Sequence, residues 1–281
     1  MKRTHFPLIC SLGLLLALAG GARASTRIEK DLKLAPGGTL DLDASGGDVT
    51  VKGTSESGAR VVITTNIPDL ESAFDLRFDE QPQAVQIVAH RRSGASWQSH
   101  LTTLKFDIEV PRQTNVELKT GGGDVNVSGL QGIIRLKTSG GDVQVSDVKG
   151  NVEGATSGGD MRIRQVSGDL LLHTNGGDVR AAGLGGRVEI HSGGGDVEAS
   201  LARGNAQGGE VEASGGDITV ALDSSVNLNL EASSGSGDVR TNLPLAMTNT
   251  ASESNLRGAL GKGGALLRLR ATGGDIHLHS L

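Results

Sequence analysis

The chain has 281 residues, 43 of them Gly, with aromatics at 2% and no Tyr, so a core must come from Val, Leu, Ile and Ala. Hydrophobic residues at 36% and charged residues at 21% exclude a wholly disordered chain. A formal net charge of −5 leaves no basic excess for nucleic acid, which is not an expected partner.

Met1-Lys2-Arg3 precedes a Leu-rich run from Phe6 to Ala19, and Ala22-Arg23-Ala24 follows it. Basic, apolar and small residues in that order predict a secretory signal peptide over residues 1–24, cleaved after Ala24. The mature chain is then expected to be exported, periplasmic or secreted, and loss of Lys2, Arg3 and Arg23 takes the charge from −5 to −8. The apolar run is short for a bilayer span, and no later stretch reaches that length, so no membrane span is expected after cleavage. Cys10 is the only cysteine and lies inside the leader, so neither disulfides nor thiol chemistry are expected.

Ser45-Gly46-Gly47-Asp48-Val49-Thr50-Val51 is an isolated first copy of a motif that dominates later. Residues 54–117 carry longer strand-like runs instead: Val61–Thr65, Phe74–Phe78, Ala84–Ala89 and Leu101–Val110. They also hold Phe74, Phe78, Phe106 and the single Trp97. This part of an N-terminal β segment, residues 25–120, is expected to cover the end of a stack, whose edge would otherwise be exposed.

From Asp124 the string Gly-Gly-Asp-(Val/Met) returns every 18 residues, at Asp142, Asp160, Asp178 and Asp196. A short fixed period marks stacked repeats. Each unit holds two short strands in which apolar and polar residues alternate, each preceded by a Gly turn. Val125, Val143, Met161, Val179 and Val197 form one inward ladder, and Ile134, Val152, Leu170 and Val188 the facing one. Thr138, Thr156, Thr174 and Ser192 share the inward parity near a corner, where hydroxyls can bond turn backbone. The Gly pairs suit corners that need positive φ or close backbone approach.

The fold class read from this is all-β: a parallel β-solenoid, a single-stranded β-helix with an N-terminal β cap. Its coils, over residues 121–281, hold about 18 residues and stack at about 4.8 Å. The crossover preference of parallel strands makes it right-handed. The step widens to 21 at Asp217 and Asp238, residues 244–264 form an insertion, and Thr272-Gly273-Gly274-Asp275-Ile276-His277-Leu278 closes the chain.

These Gly-Gly-Asp-Val-x-Val strings, with Pro36-Gly37-Gly38-Thr39-Leu40-Asp41-Leu42 ahead of the first copy and Val110-Pro111-Arg112 ahead of the array, resemble a known group. It is the bacterial putative adhesin domain family, an adhesin-like domain of unknown function, and the resemblance spans about residues 32–281. It implies an exported, β-helix-like envelope protein and brings no catalytic residues.

Stacked Asp carboxylates about 5 Å apart repel by roughly 1 kcal/mol per pair in water. Turn N–H groups can offset this. So can Ca²⁺ between turns, with Asp124, Asp142, Asp160, Asp178 and Asp196 as ligands. Ca²⁺-binding nonapeptides read Gly-Gly-x-Gly-x-Asp, so the Asp here is out of register, which favours turn bonding. His173 and His191 are expected to stack outward. Asp275, His277 and His279 alternate on one face of the last strand and could approach Zn²⁺. Residues two apart on a strand lie about 6.6 Å apart, so solvated histidines are favoured and no metal or cofactor is expected.

Outward Arg162, Arg164, Arg180 and Arg187 lie near Glu153, Glu189 and Glu198 in the stack, which suggests cross-coil ion pairs and a strip for a partner. Glycosidases need two carboxylates across a cleft, and the chain has no long loops to build one and few aromatics to stack sugars. No catalytic residues and no enzyme are therefore expected. The function read is a non-enzymatic exported scaffold or adhesin, its partner an envelope protein or surface ligand. The alternatives are a Ca²⁺-stabilised exported repeat protein and a carbohydrate-active enzyme on a β-helix.

Overall fold

Alternating apolar and polar side chains between Gly-rich corners leave the backbone one economical choice, short strands that bury every second side chain. The computed structural model describes residues 26–67, 69–92, 103–247 and 253–281. The signal peptide read at residues 1–24, Cys10 and Trp97 lie outside them.

The N-terminal strands are β1 (Thr26–Leu32), β2 (Thr39–Ala44), β3 (Asp48–Thr54), β4 (Ala59–Thr65), β5 (Phe74–Gln81), β6 (Ala84–Arg91) and β7 (Leu104–Pro111). The regular array follows as β8 (Asn115–Thr120), β9 (Val125–Ser128), β10 (Ile134–Thr138), β11 (Val143–Val148), β12 (Val152–Thr156), β13 (Met161–Val166), β14 (Leu170–Thr174), β15 (Val179–Leu184), β16 (Val188–Ser192) and β17 (Val197–Leu201). The C-terminal strands are β18 (Gly209–Ala213), β19 (Ile218–Leu222), β20 (Leu228–Ser234), β21 (Val239–Thr241), β22 (Leu245–Met247), β23 (Asn255–Leu260), β24 (Ala265–Ala271) and β25 (Ile276–Ser280).

Among the described residues the strands form two sheets, of 12 and 13 strands. We call the sheet that starts at β1 the rail sheet, and the other, which runs from β5 to β22, the charged sheet. Each coil of the array gives one strand to each. Within the array every pairing is parallel, and the register holds as in Val143↔Met161 and Val152↔Leu170 except between β15 and β17, where it shifts between Ala182 and Leu184. The inner faces meet in one continuous core. The two inward ladders and the Thr138, Thr156, Thr174 and Ser192 column are buried where the alternation placed them. Each buried Val or Leu contributes roughly 1.5–3 kcal/mol.

One coil departs from its neighbours inside. Gly154 stands where adjacent coils place Leu136 and Leu172, and fully buried Met161 reaches across from the opposite sheet into the space. A Cβ on Gly154 would sit 2.8 Å from the Met161 methyl.

Chain order and stacking order differ at both ends. The first Gly-Gly-Asp copy is not isolated: β2 and β3 sit between β6–β7 on one side and β8–β9 on the other. The 54–117 segment does cover the end, through β4 in one sheet and β5 in the other, both antiparallel, and β1, from ahead of that segment, adds on antiparallel beyond β4. It also adds a coil of its own, β6–β7. At the far end the last copy does not close the stack. Strands β24 and β25 are spliced between β18–β19 and β20–β21, and β23 and β22 add on antiparallel beyond. A free strand edge accepts whichever strand matches its parity and its hydrogen-bonding groups, and sequence distance does not enter.

The widened coil after Asp196 has a structural use. Buried Asn205 donates from Nδ2 to the carbonyls of Leu184 (2.6 Å) and Gly186 (3.0 Å), and its Oδ1 accepts from the Gln207 N–H. The extra residues thus plug the corner of the coil below.

Candidate functional site

The Gly-Gly-Asp corners make a continuous rail. In each, Asp Oδ1 accepts the backbone N–H of the Asp stacked on it. The bonds run Asp124 to Asp48 (3.2 Å), Asp142 to Asp124 (2.9 Å), Asp160 to Asp142 (3.0 Å) and Asp178 to Asp160 (3.1 Å). They continue as Asp196 to Asp178 (3.1 Å), Asp217 to Asp196 (2.9 Å), Asp275 to Asp217 (2.8 Å) and Asp238 to Asp275 (2.8 Å). Beneath them, Thr120, Thr138 and Ser192 donate to corner carbonyls. The second Gly of each pair is needed for space: a Cβ on Gly159 would lie 1.8 Å from the Gly141 carbonyl oxygen. The first Gly is not, and a Cβ on Gly158 meets nothing within 4 Å.

The remaining carboxylate oxygens attract cations of the rail sheet. Arg162 bridges Asp142 and Asp160, at 2.9 Å each, and Arg180 holds Asp178 at 3.0 Å. Lys105 approaches Asp48 at 3.7 Å, and Arg240 holds Asp238 at 2.7 Å. The Arg162 guanidinium is pushed above its ordinary value by its bond to Asp142. These pairings correct the expectation that Arg162 and Arg180 chiefly meet glutamates. Arg180 reaches Glu198 only at 3.9 Å, and Glu153 pairs with Arg135 at 3.5 Å. Arginines two residues after the Asp point back along the same face, so the rail is their nearest acid.

The residues weighed as metal ligands divide accordingly. Asp124, Asp142, Asp160, Asp178, Asp196 and Asp275 each use Oδ1 within the rail. His277 lies between Thr219 and Arg240 in register, and His279 is exposed at the strand end. Among the described residues no three His, Cys, Asp or Glu side chains converge on one point. His173 and His191 do stack, outward and in register. They part in chemistry: His173 meets Asn175 at 3.1 Å, while His191 lies between Glu212 (3.1 Å) and Glu189 (3.3 Å).

His191 begins a network of charged side chains on the outer face of the charged sheet. Five strands, β16, β18, β24, β20 and β23, present two parallel rows. The first reads Glu189, Glu210, Arg268, Glu231, Arg257. The second reads His191, Glu212, Arg270, Ser233, Asn255. Ion pairs knit the rows. Arg270 bonds Glu212 (3.2 Å) and Glu210 (3.4 Å), Arg268 bonds Glu231 (3.3 Å), and Arg257 bonds Glu231 (2.9 Å). Partial burial raises the Glu212 carboxyl, but hydrogen bonds from Arg270 and His191 outweigh it and hold the group below the ordinary carboxylate value. Further along the same face, Lys119 holds Glu117 below its ordinary value.

Sequence reasoning missed this lattice. The alternation of Glu210 with Glu212 and of Arg268 with Arg270 was readable. That the two pairs are neighbours follows only from the splice of β24 beside β18.

Fold and surface together define an all-β repeat stack, two mainly parallel sheets over one largely aliphatic core, with a hydrogen-bonded acidic rail along one corner and an ion-paired outer face. The chain belongs to the Toastrack DUF4097 family, whose model matches residues 38–279. Nothing among the curated proteins matches it. A putative adhesin from Bacteroides fragilis is 12% identical, aligns over 92% of this chain and 98% of its own, and superposes with a TM-score of 0.52. At that identity the likeness is one of fold. Looser matches include a putative cell adhesion protein from Clostridium sporogenes, 12% identical over 92% of this chain and all of its own, TM-score 0.33. A putative lipid binding protein from Parabacteroides distasonis is 12% identical over 90% and 96%, TM-score 0.41. No helix among the described residues is long and apolar enough to cross a membrane.

Proposed function

We propose that this protein is a non-enzymatic, exported scaffold of the bacterial cell envelope, an adhesion-type module that meets its partner through the outer face of the charged sheet. The observation that carries this is the two-row lattice from Glu189 to Arg257. Its charged side chains stand on a rigid sheet, held by one another and not by a ligand pocket. Flat repeat faces commonly serve as binding surfaces. The leader pattern of Met1-Lys2-Arg3, Phe6 to Ala19 and Ala22-Arg23-Ala24 supports export, with the mature chain periplasmic or secreted.

Cross-linking in intact cells followed by pull-down from the envelope fraction tests the reading. A reproducible envelope partner or surface ligand is expected, together with a mature N-terminus at Ser25. Recovery of the intact leader in the cytoplasm, or no reproducible partner from the envelope, would overturn it. Substrate turnover abolished by a single carboxylate substitution would overturn the non-enzymatic assignment.

A further inference from the structure

The N-terminal end of the stack is a step. Outward from the coil β2–β3 the rail sheet adds β7, β4 and β1, whereas the charged sheet adds only β6 and β5. Among the described residues no strand of the charged sheet faces β1, and none pairs with the outer edge of β1 or of β5. A sheet edge of this kind offers N–H and C=O groups to another strand. The inward side chains at the step are half-buried: Ile28 and Leu32 on β1, Leu76 and Phe78 on β5. The residues beside them one strand further in, Ile63, Ala59, Ala89 and Ile87, are buried. The core is therefore complete up to β4 and β6 and lacks one layer of neighbours at its end.

We propose that this end joins a second copy of the chain about a two-fold axis that runs along the strands. Such an axis brings the rail sheet of one protomer into line with the charged sheet of its partner. β1 then fills the step beside the partner's β5, the partner's β1 fills the other, and the contact closes on itself. Strands β1 and β5 run the same way, so the new pairing is parallel. Other arrangements leave gaps. A two-fold that joins like sheets sets β1 against β1 and leaves two strand positions empty between the β5 edges. Head-to-tail stacking fails as well. At the far end the charged sheet overruns by two strands, β23 and β22, where the near end leaves room for one.

Charge sets the register. With Glu29 opposite the partner's Arg77, Arg27 meets the partner's Asp75 and Ile28 meets the partner's Leu76. Opposite charges across paired strands attract, and like charges repel. Asp31 against the partner's Asp79 is the one like pair. A slip of two residues one way sets Arg27 against the partner's Arg77 and Glu29 against the partner's Asp79. A slip the other way sets Glu29 against the partner's Asp75 and leaves Arg27 opposite the partner's Ala73. Glu29 keeps Arg60 on its other side, so the row of alternating charge runs on across the joint. Two charged residues have inward parity, Lys30 beside buried Val61 and Glu80 beside buried Val85. They are of opposite sign. In this register Lys30 is diagonal to the partner's Glu80 and level with the partner's Phe78. Within one protomer its amine already lies 5.8 Å from the Phe78 ring centre. The two charged sheets of the dimer look to opposite sides, so one assembly can hold two partners. That consequence rests on the proposed contact face, whereas the joint does not.

Sedimentation equilibrium of the mature protein tests the joint. A dimer in reversible equilibrium with monomer is expected, with no larger species. Glu29→Arg and Arg77→Glu should each raise the dissociation constant at least about tenfold, since the two-fold places the like-charged contact in the interface twice. An equimolar mixture of the two variants should associate as the wild type does. Each charge meets its opposite in the mixed dimer, which also shows that both variants fold. Arg27→Asp mixed with Asp75→Arg is an independent pair with the same expected outcome. A monomeric wild type would overturn the proposal and leave the step for a strand of another protein. Wild-type association by both single variants, or mixtures of both pairs no tighter than their components, would overturn this interface. Open-ended oligomers would overturn the two-fold. Sedimentation reads the joint alone, and the envelope pull-down reads the contact face, so the failure of one is distinguishable from the failure of the other.

Discussion

The middle of the stack and its two ends are built from the same corner, yet they are connected differently. Between Asp124 and Asp196 each rail bond joins residues 18 apart in sequence. At the ends the same bond joins residues 76, 58 and 37 apart, through Asp48, Asp217 and Asp275. Bond lengths do not separate the groups: 2.9–3.1 Å in the middle, 2.8–3.2 Å at the splices. The Gly-Gly-Asp corner therefore specifies how one coil sits on another and is silent on which coil that is. Splicing also places the last residues of the chain inside the stack, where they hold the antiparallel end in place.

Matched substitutions in the middle and at a splice test that equivalence, and the largest effect should come from the glycine column. Gly159→Ala and Gly274→Ala each force a Cβ against a carbonyl, at 1.8 and 2.3 Å, and each should cost about 3 kcal/mol in urea unfolding. Gly158→Ala should change stability by less than about 0.5 kcal/mol. A tolerated Gly274→Ala would show that the splice is looser than the array.

The next effect belongs to the irregular coil inside the middle. Gly154→Leu should cost about 2 kcal/mol by overpacking and Met161→Val about 1 kcal/mol by leaving a cavity. The double variant should recover at least about 1 kcal/mol of their sum, because Met161 fills the space that Gly154 leaves. Additive costs would mean that the two sheets adjust independently.

Rail carboxylates should matter less, and equally in both regions. Asp178→Ala and Asp275→Ala should each cost about 1 kcal/mol for one lost acceptor, and the Asn variants less, since they keep an oxygen in place. A cost at Asp275 twice that at Asp178 would break the comparison.

Glu212 gives the ends a pH signature. Its carboxyl lies below the ordinary value in the folded protein, so its contribution is present above about pH 4.5 and is lost as pH falls through the folded value. Glu212→Gln should flatten the acid side of the stability profile, measured by thermal melts at low ionic strength, and leave the rail untouched.

The smallest effect is a gain. Gln165 adopts φ of 55° at the corner where neighbouring coils place Asp147, also at positive φ, and Gly183. Gln165→Gly should stabilise by about 0.5 kcal/mol, the relief of left-handed strain less the entropy cost of glycine.

Much of the fold was legible in the residues. Period-two alternation placed the Val125 and Ile134 ladders inward, and the Thr138 column was readable because its hydroxyls share the inward parity at a corner. The Asp was correctly assigned to backbone bonding, although the N–H it accepts belongs to the next coil and not to its own turn. The lattice of Glu210, Glu212, Arg268 and Arg270 was not legible, because the strands that carry it are about 58 residues apart in sequence and adjacent only in space.

The sequence by itself determined the coil: its length, its two inward faces, its glycine corner and its acidic rail, all of which depend on residues within one 18-residue step. Only the tertiary structure decided the order of coils. Every coil presents the same edge of N–H and C=O groups to its neighbours, so local pattern cannot rank one partner over another. Connections of 58 and 76 residues are closed at little more entropic cost than short ones. That order decides which side chains meet on the outer faces, so the chemistry of this protein is set at its splices while its architecture is set in its repeats.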